Sequence, residues 1–86
     1  MANSASARKR ARQAETRRQR NASARSRFRR FVKNVVSAIE NGDKEAAQAN
    51  YQKALPEIDI SVSKGIIHAN KAARHKSRLN ARIRSM

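Results

Sequence analysis

Between Ala2 and Arg27 the chain contains no Val, Ile, Leu, Met, Phe, Tyr or Trp, whereas from Phe28 onward it carries about fifteen large apolar side chains. A core can be built only from the second stretch, because removal of apolar surface from water is the main favourable term in folding. Residues 2–27 also lack Gly and Pro and are rich in Ala and Arg, so helix is their favoured regular conformation. With no apolar face to dock on protein, a segment of this kind is expected to order on a partner. Two parts follow: a basic arm over residues 1–27 and a folded unit over residues 28–86.

The arm's charge says what that partner is. The 86 residues carry 21 Lys plus Arg against 6 Asp plus Glu, a formal net charge of +15. Residues 1–33 hold 12 basic side chains and one acid, Glu15; residues 34–63 hold 2 basic and 5 acidic; residues 64–86 hold 7 basic and none acidic. Two cationic segments thus flank a mildly acidic centre. Self-repulsion opposes compaction unless a polyanion neutralises it, and nucleic acid is the densest polyanion available. A solvated helix face normally mixes both signs, which the first 33 residues do not. Arg outnumbers Lys there, and its planar fork suits bidentate phosphate contact.

Helix is the only periodicity present. Phe28, Phe31, Val32, Val35, Val36 and Ile39 fall on one helical face, with Arg29, Arg30 and Lys33 turned away. Gly42 reads as a stop and Asp43 as the N-cap of the next helix. There Ala47, Tyr51, Ala54, Leu55, Ile58 and Val62 share one arc, while Ile60 points elsewhere and Pro56 is expected to kink or split the helix. After Ser63-Lys64-Gly65 a third helix places Ile66, Ala69, Ala72, Ala73, Leu79 and Ile83 on one broad face. Lys71, Arg74, Arg78 and Arg82 recur on another, and Lys76 falls within the apolar arc, where its ammonium must snorkel outward. The expectation is an all-α three-helix bundle, with helices near 28–41, 44–62 and 66–84, and a long basic N-terminal helix extending beyond the core. Its burial gains and ordering costs are of similar size, which makes the free bundle marginal.

Other classes are poorly served. Cysteine is absent, which removes disulfides, thiolate metal sites and thiol nucleophiles. His68 and His75 lie seven apart, not at the i,i+4 spacing of a helical metal pair, and no grouping suggests an activated nucleophile or paired acids. Two glycines cannot make a Gly-rich phosphate loop. No cofactor, metal, small-molecule substrate or enzyme activity is expected. No apolar run approaches a membrane span of ~18 residues. The arm lacks the bulky apolar face of a mitochondrial transit peptide. Phe28, Phe31 and Tyr51 all lie on core stripes, leaving no exposed aromatics for single-strand stacking, so contacts should fall on phosphates, sugars and shape. A small DNA-architectural protein of nucleoid type is the alternative, though such proteins usually bring an apolar wedge or a dimer seam. No homo-oligomer is expected.

At residues 64–79 the chain reads KGIIHANKAARHKSRL, and at 38–48 AIENGDKEAAQ. With the MANS start and the Arg-rich arm bearing Asn21 and Ser23, these stretches stand in the order found in the S-twenty family of bacterial small-subunit ribosomal proteins, which the chain resembles over essentially its whole length. The resemblance implies a three-helix bundle whose long first helix runs out along RNA. It also implies direct, early binding to 16S ribosomal RNA, near its 5′ domain and the base of the long penultimate stem, in the cytoplasmic ribosome. Carried over by position, it marks Arg8, Lys9, Arg10, Arg12, Arg17, Arg18, Arg20, Arg25, Arg27, Arg29, Arg30 and Lys33 on the first helix. On the third it marks Lys71, Arg74, His75, Lys76 and Arg78, a face that Arg82 continues by its spacing. Ala69, where the family often has a basic residue, and the run Ser4-Ala5-Ser6, where an apolar one is common, depart from the pattern.

Overall fold

The computed structural model describes residues 4–86, so the Met1–Asn3 part of the MANS start lies outside the described residues. Among the described residues there are three helices: α1 over Ala5–Glu40, α2 over Lys44–Ser63 and α3 over Ala69–Arg84. The basic arm and the first core helix are therefore one continuous rod of 36 residues. Ser4 caps it, its Oγ accepting from the Ala7 N–H at 3.2 Å.

Both breaks use the same chemistry. Gly42 and Gly65 take left-handed φ of 72° and 71°, which costs a glycine little because it has no Cβ. The N–H groups of Gly42 and Asp43 then donate back to Ile39 and Ala38, and those of Gly65 and Ile66 to Val62 and Ser61. These paired bonds satisfy the last carbonyls of α1 and α2 in a Schellman arrangement. Asp43 immediately restarts the chain as an N-cap, Oδ1 accepting from the Ala46 N–H at 3.0 Å. Pro56 neither splits nor ends α2, which runs through it with the ring on the exposed side. The third helix begins at Ala69 rather than at Ile66. Ile66 and Ile67 are spent in the turn, and the His68 side chain caps α3 by accepting from the Asn70 N–H at 3.0 Å.

The three helices run up, down and up. α1 packs chiefly on α2 and α2 on α3, and α3 touches α1 least. The buried core is Phe28, Val35 and Ala38 from α1, Ala47, Ala54 and Ile58 from α2, and Ala72, Leu79 and Ile83 from α3. Four of these nine are alanines, so the helices approach closely but bury few large side chains. Phe31, Val32, Val36, Ile39, Tyr51, Val62, Ile67 and Met86 are only half-buried around them. Ala69 and Ala73, expected in the core, are exposed, because α3 meets its neighbours over a narrower strip than its apolar arc. Buried Ser61 is satisfied by donating to the Glu57 carbonyl at 2.9 Å.

Among the described residues nothing packs on the outer half of α1. The molecule measures 62 × 22 × 15 Å, with a radius of gyration of 17.6 Å, against ~12 Å for a compact domain of this length. A cationic rod stands on a small bundle.

Candidate nucleic-acid interface

Along the arm, Arg8, Lys9, Arg10, Arg12, Arg17, Arg18, Arg20 and Arg25 are all exposed. At about 100° per residue they project around the whole circumference of the helix, not from one face. Most have only solvent near them. Arg18 is an exception, held by two hydrogen bonds to Glu15, of 3.0 and 2.6 Å, which also lower the pKa of that carboxyl. Where the rod enters the bundle, Arg29, Arg30 and Lys33 remain exposed on its outer side.

Arg27 behaves differently. Its guanidinium donates from Nε and Nη2 to the two oxygens of Glu57 at 2.9 and 2.8 Å, and its Cζ lies 5.4 Å from the centroid of the Phe31 ring. This bidentate pairing is the strong form of a charged hydrogen bond. It holds the Glu57 carboxyl below its ordinary pKa and raises that of Arg27. The pair ties α1 to α2 one residue before the first core side chain, Phe28.

On α3, Lys71, Arg74, Arg78 and Arg82 are exposed. His75 is half-buried, its ring meeting Phe28 edge-on with centroids 5.4 Å apart and planes at 80°. Burial, then Lys71, Arg78 and Arg74, push its pKa below the ordinary value of 6.5, which favours the neutral ring. The Phe28 contact also puts the N-terminal half of α3 beside the root of the arm. Lys71, Arg74 and Arg78 therefore extend the cationic surface of α1 onto the bundle. Lys76 snorkels out of the apolar arc as expected and bonds to Asp59 of α2, while its carbonyl accepts from the Tyr51 hydroxyl at 3.1 Å.

Of the cations outside the expected set, Arg84 is exposed at the end of α3, beside Lys44 and Gln48 of α2 and away from the arm, whereas Lys64 joins the arm's surface. Lys64, the C-cap of α2, lines a groove with Arg20, Asn21 and Arg27 of the arm. That juxtaposition is tertiary, so no periodicity along the chain reports it. Among the described residues no group of three His, Cys, Asp or Glu could hold a metal ion, and no helix is long and apolar enough to cross a membrane.

An exposed rod with cations on all sides, joined to a bundle with one cationic helix face, is the build of a protein that binds a folded polyanion. The family model for ribosomal protein S20 matches residues 2–84. The chain is 66% identical over 86 residues to the small ribosomal subunit protein bS20 of Thioalkalivibrio sulfidiphilus, with both chains covered in full. Its identity to that of Nitrosococcus oceani is 59%, covering all of this chain and 99% of the relative. To that of Methylococcus capsulatus it is 57%, covering all of this chain and 94% of the relative. The chain belongs to the ribosomal protein S20 family.

Proposed function

We propose that this chain is a structural, non-catalytic RNA-binding component of the small ribosomal subunit, working in the cytoplasm. In this reading it binds 16S ribosomal RNA directly and stabilises the fold of that RNA during assembly. The observation that carries the reading is the arm's all-round charge on a helix that none of the other described residues covers. Phosphates on one RNA helix could engage only one side of such a rod. A rod charged on every side is suited to lie between several RNA segments and to neutralise the repulsion that keeps them apart. The α3 face, fixed by the bundle at the rod's root, sets the angle at which one of those segments leaves.

The test is competitive binding of the purified chain to 16S ribosomal RNA against duplex DNA of equal length, over a series of salt concentrations. If about eight to ten phosphates are neutralised, log K falls against log salt with a slope of roughly −6 to −9. A slope near −2, or equal affinity for the DNA, would rule the proposal out.

A further inference from the structure

Among the described residues, Ile60 alone of the large apolar side chains stays exposed, at 45%. With Ala24, Arg27, Glu57 and Lys64 it lines a groove of about 290 Å³ where α2 faces the root of the arm. The volume is at the lower edge of small-ligand sites, which span roughly 300–1,000 Å³. The groove opens into a second one that runs along the arm past Arg20 and Asn21, with Ala24, Arg27 and Lys64 common to both.

The charge along this continuous groove is uneven. Its Ile60 end contains the ionised carboxylate of Glu57, with both oxygens bonded to Arg27. Its arm end is lined by exposed Arg20 and Lys64 and by no acid. A phosphate is attracted to the arm end, where Arg20 has no acid beside it; at the other end the Arg27–Glu57 pair is already satisfied, and the group that gains from covering Ile60 is uncharged and apolar-faced. A nucleotide joins those two requirements in one unit, and RNA presents bases free of their stack in bulges, loops and ends.

We propose that this groove takes one unpaired nucleotide of the bound RNA, its base laid on Ile60 and its phosphate between Arg20 and Lys64. The proposal rests on the RNA-binding reading and adds a base contact to what is otherwise a phosphate-binding surface.

The test uses the full chain and 16S ribosomal RNA, because salt separates the two halves of the site. Ile60→Ser is expected to weaken binding about three- to tenfold, as loss of a half-buried apolar contact would, with no change of salt slope. Lys64→Gln is expected to flatten the slope by about 0.7–0.9, one phosphate's worth. Dimethyl sulfate probing is expected to show a base that the natural chain protects and Ile60→Ser leaves reactive. Ile60 is exposed and is not one of the buried core residues, so its variant should unfold at nearly the same temperature as the natural chain. The proposal is overturned if Ile60→Ser binds RNA like the natural chain while replacement of Lys71, Arg74 and Arg78 still impairs binding. The RNA reading then survives. If Ile60→Ser binds RNA normally but is lost from assembled subunits, Ile60 meets a protein, and the proposal is equally overturned. If the natural chain itself prefers duplex DNA, both readings fail together.

Discussion

Arg27 and Glu57 are thirty residues apart in the chain and joined by two near-parallel hydrogen bonds, one turn before the rod leaves its bundle. The pair fixes α1 to α2 at the root of the arm. Glu57→Gln is expected to loosen this root, so amide exchange over residues 24–31 should rise several-fold. The same variant frees Arg27 for phosphate, so RNA binding should gain salt dependence, its slope steepening by about 0.7–0.9. Because the Glu57 carboxyl titrates below its ordinary 4.5 in the fold, its contribution is complete above that pH and lost as pH falls through the lowered value. Unchanged exchange at residues 24–31 would show that the pair does not hold the root.

The two faces of α3 separate binding from folding. Lys71, Arg74 and Arg78 are exposed, while Leu79 is 4% exposed and packs in the core. Replacing the three cations with Ala should weaken RNA binding at least tenfold. Helicity and thermal unfolding should barely change, since like charges three and four apart mildly oppose a helix. Leu79→Ala should instead open a cavity costing ~2–5 kcal/mol, which an alanine-rich core has little reserve to absorb. Its binding loss then follows from unfolding, visible by circular dichroism. Lys44 and Lys53 of α2 are the controls: if changing them harms binding as much as changing the α3 trio, charge alone decides affinity.

His75 confers an acid sensitivity that RNA need not be present to reveal. Its folded pKa lies below 6.5, so the unfolded chain takes the proton more readily. Stability is therefore complete above the ordinary histidine value and declines as pH drops below it and on through the folded value. His75→Phe keeps an aromatic edge against Phe28 and removes the titration. Thermal unfolding between pH 7 and 5 should decline less in that variant, and an identical decline in both would assign the effect elsewhere.

Much of this molecule could be read from its residues. The Phe28–Ile39 stripe, the Gly42 stop and the Asp43 cap are local patterns with local causes, and the structure keeps all three. Local reasoning failed where a neighbour decided the outcome. Ile66 looked helical by its apolar character, but its N–H is taken by the Ser61 carbonyl in closing α2, which delays α3 to Ala69. Ala69 and Ala73 shared the apolar arc but met no partner. Arg27 has nothing in the sequence to distinguish it from the other cations, and the position of Lys76 in the apolar arc does not reveal its partner, because Glu57 and Asp59 reach them only through the packing of α2 against its neighbours. Lys64 stayed out of the expected site for the same reason.

The arm's helix is regular but held by little beyond its own hydrogen bonds, and an isolated helix with so many like charges is marginal. In the free chain, trypsin should cut fastest between Arg8 and Arg25 and leave a more resistant fragment beginning near Phe28. With 16S ribosomal RNA bound, the same bonds should become protected. Equal resistance of arm and bundle in the free chain would contradict this account.

Residues 8–33 carry 12 cations on a rod rising ~1.5 Å per residue, or one cation per ~3.3 Å, close to the ~3.4 Å between phosphates along one strand of a B-form duplex. In electrostatic terms the rod resembles a strand with its sign reversed. It works as a polyamine of fixed shape, able to replace condensed ions along its whole length while adding none that can diffuse away. RNA folded around it should therefore keep its form at magnesium concentrations where the naked RNA opens.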